Sequence, residues 1–363
     1  MDFIKDFNKN TSKEEGVSLS APKPKFFISL GNYVINKIIS GAYRGGLAQG
    51  KLAMLAGPSS AGKSFLAGNA IKAAQDQGCG ILIIDSENAL DEQFLENLGV
   101  DVSREDFLYR GVSKISQAIK ILSTFLKHYR ASGATHPFLI VIDSLDMLST
   151  DSAADAFESG EMKGDQGQHA KQLKNSMTPL MHDIKDLPVV VLCTKQVYKT
   201  QDPIAAKNPV TEWNLTEAIK YAFTQIILVT RLMLKDDATK KYEGIRLKVF
   251  GLKTRLTKPF QQAVIEVPYD TGMDPFSGLL EVAEAVGVVT KAGSWYAFNG
   301  NKFQSKDFSK HQEAVLEELI KIERDTKLEV VPEDEDTVVE AGDKAGAQAA
   351  VSKARAAKAA AED

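Results

Sequence analysis

Residues Lys51–Ala74, KLAMLAGPSSAGKSFLAGNAIKAA, leave the chain little freedom in what it can fold into. A short apolar stretch, Leu52–Ala56, reads as a buried strand, a glycine-bounded loop follows, and a helix opens near Lys63. The loop, Gly57-Pro58-Ser59-Ser60-Ala61-Gly62-Lys63-Ser64, satisfies G-x-x-x-x-G-K-[ST] at every fixed position, between the strand and helix that the motif requires. In that setting the loop N–H groups and the positive end of the helix dipole converge on one small volume, and Gly57 and Gly62 allow a close approach that a Cβ would block. The pattern implies a cradle for a polyphosphate. Lys63 reaches the outer phosphates, the Ser64 hydroxyl holds Mg²⁺, and Phe65 completes the set of nucleotide-binding candidates.

Further apolar strands end in polar residues. Ile81–Ile84 runs into Asp85-Ser86-Glu87, Phe138–Ile142 into Asp143-Ser144, and Val189–Leu192 into Cys193-Thr194-Lys195-Gln196. In a mostly parallel sheet the C-terminal strand ends face the ligand crevice, so these residues should gather near the cradle. A carboxylate such as Asp143 can hold a Mg²⁺-bound water beside Ser64. Ile115, Ala118, Ile119, Leu122, Leu126 and Tyr129 recur at helical spacing, as do Leu173, Met177, Leu180 and Ile184; both stripes need only a core to explain them. Alternating strands and helices predict a doubly wound α/β domain, and strands at Ile226–Leu234, Ile245–Leu252 and Gln262–Val267 predict an antiparallel extension. A smaller α/β unit follows, in which core packing accounts for Trp295, Tyr296 and Phe298.

Four segments complete this division: an arm over 1–30, a nucleotide-binding core over 31–270, the small unit over 271–330 and a tail over 331–363. The arm carries an apolar cluster, Phe3, Ile4 and Phe7, which fits either a frayed terminus or a segment that docks on another subunit. The tail is acidic from Glu333 to Asp343 and then alanine-rich; the composition predicts disorder, or at most a marginal helix. Within the core, 151–168 reads as a mobile loop, and 197–215 has no period and reads as a long functional loop.

Composition excludes some classes. A formal net charge of −4 argues against a uniformly basic surface, and no run of eighteen apolar residues or signal peptide is present, which leads us to expect a cytoplasmic protein without membrane partners. Cys79 and Cys193 are too few for a disulfide framework and lack metal-ligand spacing, so both should be core thiols in a reducing compartment.

Taken in order, GPSSAGKS, DSENALDEQFLENLGVDV, IVIDSLDML, VVVLCTKQ, GLKTRLTKPFQQAVIEVPYDTGMDPFSGLL and KAGSWYAFNGNKF resemble the RecA recombinase family, most closely its phage branch of UvsX-like recombinases. The resemblance covers about residues 30 to 300 and implies a RecA-like P-loop NTPase core. It further implies that Lys63 and Ser64 bind phosphate and Mg²⁺, that Asp143 is the second metal-associated group, and that Glu87 is the catalytic glutamate that activates water. Asp91, Phe94 and Tyr269 match positions around the adenine, and Gln196 matches the residue that senses the γ-phosphate at the root of a DNA-binding loop. Lys253 and Arg255 match cations that reach the neighbouring subunit's ATP, in the manner of an arginine finger. The loops at 151–168 and 197–215 align with the two DNA-facing loops, with Lys199, Lys207 and Trp213 as contacts and Ile204 as an apolar wedge between bases. Here the chain departs from pattern, because Glu212-Trp213 stands where relatives often carry glycines and Lys195 replaces an asparagine.

The expected activity is that of a DNA-dependent ATPase, hydrolysing ATP to ADP and phosphate, that forms filaments on single-stranded DNA and pairs it with homologous double-stranded DNA for strand exchange in recombination and repair. Its expected partners are DNA, copies of itself, single-strand-binding proteins and mediator proteins, in a bacterial host cell if phage-encoded. A hexameric helicase with the same core, and a non-catalytic ATP-gated scaffold, are the alternatives; the small unit after residue 270 weighs against the first, and the intact Glu87 and Ser64 against the second.

Overall fold

The computed structural model describes residues 2–11, 23–160, 167–208, 210–215, 217–235 and 241–328. Eight strands form the central sheet: β1 (Leu52–Gly57), β2 (Gly80–Asp85), β3 (Phe107–Gly111), β4 (Phe138–Asp143), β5 (Val189–Gln196), β6 (Gln225–Lys235), β7 (Tyr242–Thr254) and β8 (Gln262–Pro268). They lie in the order β8-β7-β6-β1-β5-β4-β2-β3. Every pairing from β6 to β3 is parallel, whereas β6–β7 and β7–β8 are antiparallel.

Continuous apolar runs suit these central strands because both faces are covered. Ala53, Leu55, Ile81, Ile83, Leu139, Val141, Val190 and Leu192 face one core, together with the helices Tyr33–Ser40 and Lys63–Asp76. Leu52, Met54, Leu82, Ile84, Ile140, Ile142, Val189 and Val191 face the other, under Ile115–Ala131 and Gln168–Ile184. The period of two thus splits each strand between two helical layers, giving the doubly wound α/β architecture. The first core continues into Leu279, Phe298, Phe303 and Leu316, on the helices and three-stranded sheet that follow β8.

The described residues up to 321 form one compact unit, and 322–328 end the helix Gln312–Leu328. The tail expected to be disordered lies outside the described residues. At the other end, Asp2–Thr11 is a helix with Phe3, Ile4 and Phe7 exposed on it.

Three expectations need correction. The segment from Asp151 is not a loop throughout: Asp151–Glu158 is helical, because the Thr150 hydroxyl caps it by accepting from Ala153 N–H at 3.1 Å and Asp151 sits favourably at the helix dipole's positive end. No residue of that helix is buried and it is only eight residues long, too short to establish a period, and 161–166 lie outside the described residues. The stretch 197–215 is also partly ordered, with Tyr198 paired to Asn214 and Lys199 to Trp213 in a two-stranded ladder around a turn at Ala205–Lys207. Finally, core packing does not account for Trp295, which is half exposed at the start of the middle strand of the three-stranded sheet, although Phe298 on the same strand is buried.

Candidate nucleotide site

The cradle forms where β1 meets the helix Lys63–Asp76. Gly62 has φ +95°, and a Cβ there would stand 2.9 Å from Leu247; at Gly57 a Cβ would stand 2.3 Å from the Val229 carbonyl oxygen. Both glycines therefore meet physical requirements, one of backbone conformation and both of space. Lys63 Nζ donates to the Gly57 and Pro58 carbonyls at 3.2 and 2.9 Å. Burial pulls its pKa below the usual lysine value, while Glu87, Asp143 and Asp146 act in the opposite sense.

A cavity of about 610 Å³ opens over this loop, lined by Ser59–Phe65, Glu87, Phe94, Gln196 and Tyr269 among others. The parallel register brings the strand ends there: Asp85 is opposite Asp143 across β2 and β4, and Gly57 is opposite Gln196 across β1 and β5. Asp143 is buried, and one carboxylate oxygen accepts from the Thr194 hydroxyl. Burial pushes this carboxyl above the usual range, and the nearby Thr194 and Ser64 hydroxyls oppose that rise. Its other oxygen, Oδ2, is buried without a hydrogen-bond partner. An orphaned acceptor beside Ser64 suits a hydrated divalent cation, so the residues fit Mg²⁺.

Glu87 is exposed to the cavity on a tight loop whose shape is set by Asp85. The Asp85 carboxylate, fully buried, accepts from Glu87, Asn88 and Leu90 N–H at 2.9, 2.8 and 3.1 Å and from the Tyr109 hydroxyl at 3.0 Å. The Ser144 hydroxyl in turn donates to Glu87 Oε1. Strand-end position alone does not separate the two carboxylates; burial does, making Asp85 the brace and Glu87 the group left in the cavity.

On the opposite wall stand Phe94, Asn97, Leu98 and Tyr269. Asp91 is not part of the lining: its carboxylate caps the helix Glu92–Asn97, accepting from Phe94 N–H at 2.8 Å. It holds the helix that presents Phe94 and Asn97. Asn97 and Arg231 were not singled out by sequence pattern, since each becomes a wall residue only through the tertiary fold.

The RecA N-terminal domain family model matches residues 4–274, three-quarters of the chain and the whole of this cavity. The chain belongs to the RecA family. It is 28% identical over 308 residues to Protein RecA of Aquifex pyrophilus, an alignment covering 82% of each chain. With Protein RecA of Thermus thermophilus it shares 29% identity over 305 residues, 83% of this chain and 84% of the relative. Protein RecA of Clostridioides difficile is 28% identical over 263 residues, 71% of this chain and 70% of its own.

In this RecA-family chain, Lys253 and Arg255 are not brought to the cradle of their own subunit. Lys253 pairs with Ile226 and, through it, lies level with Met54, so the two cations sit roughly 10 to 17 Å back from Gly57 along the strand direction. There Lys253 donates to the Lys220 carbonyl and lies 5.9 Å from the Tyr221 ring centroid, while Arg255 is 3.5 Å from the Tyr221 carbonyl.

The RecA-like core places the loop candidates unequally. Ile204 is 82% exposed and Lys207 is exposed at the end of its turn. Lys199 is already engaged, 2.7 Å from Glu212 and 5.4 Å above the Trp213 ring, and Trp213 is half-buried against the second core. The departure at Glu212-Trp213 gives Lys199, whose side chain is 65% exposed, an acidic partner and an aromatic neighbour within the loop. Among the described residues no helix is long and apolar enough to cross a membrane.

Proposed function

We propose that the chain is an ATP-dependent DNA recombinase of the UvsX-like kind, which polymerises on single-stranded DNA and promotes homologous pairing and strand exchange. The observation that carries this reading is the position of Gln196: its residue lines the phosphate cavity opposite Gly57, and the next residues enter the loop that carries Ile204 and Lys207. A strand-end amide that touches phosphate can order the loop beyond it, so that nucleotide state sets DNA affinity.

In this mechanism the loop N–H groups and Lys63 bind and orient the phosphates of ATP, and Phe94 and Tyr269 flank the base. Mg²⁺, when bound, neutralises phosphate charge; Ser64 and, through water, Asp143 would hold it. Glu87 accepts a proton from the attacking water, and Ser144 keeps its carboxylate aimed into the cavity. Lys253 and Arg255, remote from their own cradle, serve the next subunit's phosphates, so hydrolysis requires assembly. Single-strand-binding and mediator proteins would then act on the filament.

The test pairs ATP turnover, measured against added single-stranded DNA, with electron microscopy of the same mixture. Stimulated turnover with helical filaments supports the recombinase. Closed rings with directional unwinding, or nucleotide binding without turnover, would replace it with a motor or a scaffold.

A further inference from the structure

The turn after β4 ties together Glu87 and the end of β5. Asp143 accepts from the Thr194 hydroxyl, Ser144 donates to Glu87, and Leu145 N–H donates to the Thr194 carbonyl at 3.0 Å. The fourth residue, Asp146, does not line the cavity. Its carboxylate grips the end of β5 instead: one oxygen meets the Lys195 ammonium and the other accepts Gln196 N–H at 2.6 Å. Lys195 is buried, with 9% of its surface exposed, whereas the Asp146 side chain is 27% exposed, so the ammonium end of the pair is shielded and the carboxylate end is partly wet.

Main-chain pairing between β4 and β5 stops at Ile142 and Cys193. Beyond that point Gln196 is held on one side by β1, through Gly57, and on the other by Asp146. Immediately afterwards Val197 N–H donates to the Gly57 carbonyl at 3.1 Å and the Tyr198–Asn214 pairing begins. The segment between cradle and loop is thus short and clamped from both sides.

We infer that Asp146 and Lys195 are positioning residues that fix Gln196 at the cavity mouth and set how strongly the nucleotide and the 198–214 loop influence each other. This rests on the reading of Gln196 given above. Neither side chain lines the cavity. Losing Asp146 alone would leave both a buried ammonium and the Gln196 N–H without their acceptor, so the strand end would shift. A neutral pair of similar shape, Asp146→Leu with Lys195→Met, removes the clamp without stranding a charge and is therefore the cleaner variant.

Trp213 and Trp295 are the two tryptophans of the chain, so Trp295→Phe leaves Trp213, under Lys199 in the loop ladder, as a reporter. In the full-length Trp295→Phe parent and in the same protein carrying the double variant, three quantities are measured: the KM for ATP, turnover with and without a single-stranded homopolymer, and the Trp213 emission change on adding a non-hydrolysable ATP analogue. The inference expects a KM within about threefold of the parent, DNA-stimulated turnover at least tenfold lower, and loss of the emission change. Asp146→Glu, which keeps the charge, should restore part of the response. A double variant that melts at lower temperature yet keeps its stimulation ratio and emission change overturns the inference and leaves the pair purely structural. Should the parent show no stimulation by DNA, the functional reading falls. The analogue-induced change in Trp213 needs no DNA and then decides the clamp alone: equal changes in parent and double variant overturn it, and loss in the variant upholds it.

Discussion

Asp85→Ala should loosen the Glu87 loop far more than its single missing side chain suggests. The Asp85 carboxylate accepts four hydrogen bonds in a fully buried position. Glu87 and Asn88 are exposed, so water can replace the acceptor for their N–H groups. Leu90 is fully buried and the Tyr109 hydroxyl partly so, and these two donors would be stranded. At about 1 to 3 kcal/mol for each stranded donor, less what is recovered by no longer burying a carboxylate, the loop should lose roughly 3 kcal/mol of local stability. Hydrogen exchange resolved to the peptide spanning 85–92 measures this directly: the Leu90 amide should exchange about a hundredfold faster, with peptides of β5 unchanged. Turnover should fall together with the protection, because Glu87 loses its fixed approach. Tyr109→Phe removes only one of the four bonds and should cost about 1 kcal/mol. An Asp85→Ala protein with wild-type protection at Leu90 would refute the brace.

Glu87→Gln should retain nucleotide binding, read by equilibrium titration with a fluorescent ATP analogue, while turnover drops at least a hundredfold, roughly the scale of a lost general base; wild-type turnover would remove Glu87 from the reaction. Burial pushes the Cys79 thiol up to about 11 and raises Cys193 as well, so at pH 8 both remain protonated. Alkylation at that pH should be slow in the folded chain, quicken as pH rises toward the Cys79 value, and become fast at any of these pH values after denaturation; rapid labelling of the native protein would contradict the burial. Mixing an inactive Lys63→Ala chain with an inactive Arg255→Ala chain should restore part of the turnover, because some contacts then join an intact cradle to an intact cation, whereas two cis sites would give none.

Much of the fold could be read in the sequence because the central strands are apolar throughout and the cradle carries its own punctuation. Gly57 and Gly62 mark the loop, and Glu87, Asp143 and Gln196 follow from their place at strand ends. Hidden were the groups whose role depends on who is buried next to whom. Asp85 and Glu87 are indistinguishable by position, and Asp91 looks like a wall residue until its carboxylate is seen capping a helix. Asp146 lies three residues past the end of β4 and acquires a partner only when β5 comes alongside. The helix at Asp151–Glu158 escaped because eight residues are too few to establish a period, and the Lys199–Glu212 pair because its members are thirteen residues apart in sequence.

The distance between Gly57 and the cations at the other end of the sheet bears on how copies of this chain can associate. If those cations complete a neighbour's cradle head to tail, the contact joins unlike surfaces, which builds a ring where the rotation closes and an open row where it does not. An open row of this kind has a direction. One terminal protomer keeps a cradle with no cation opposite it, so a row of n protomers completes n minus one sites. Turnover per chain then grows with row length, and the incomplete end is where nucleotide persists unhydrolysed.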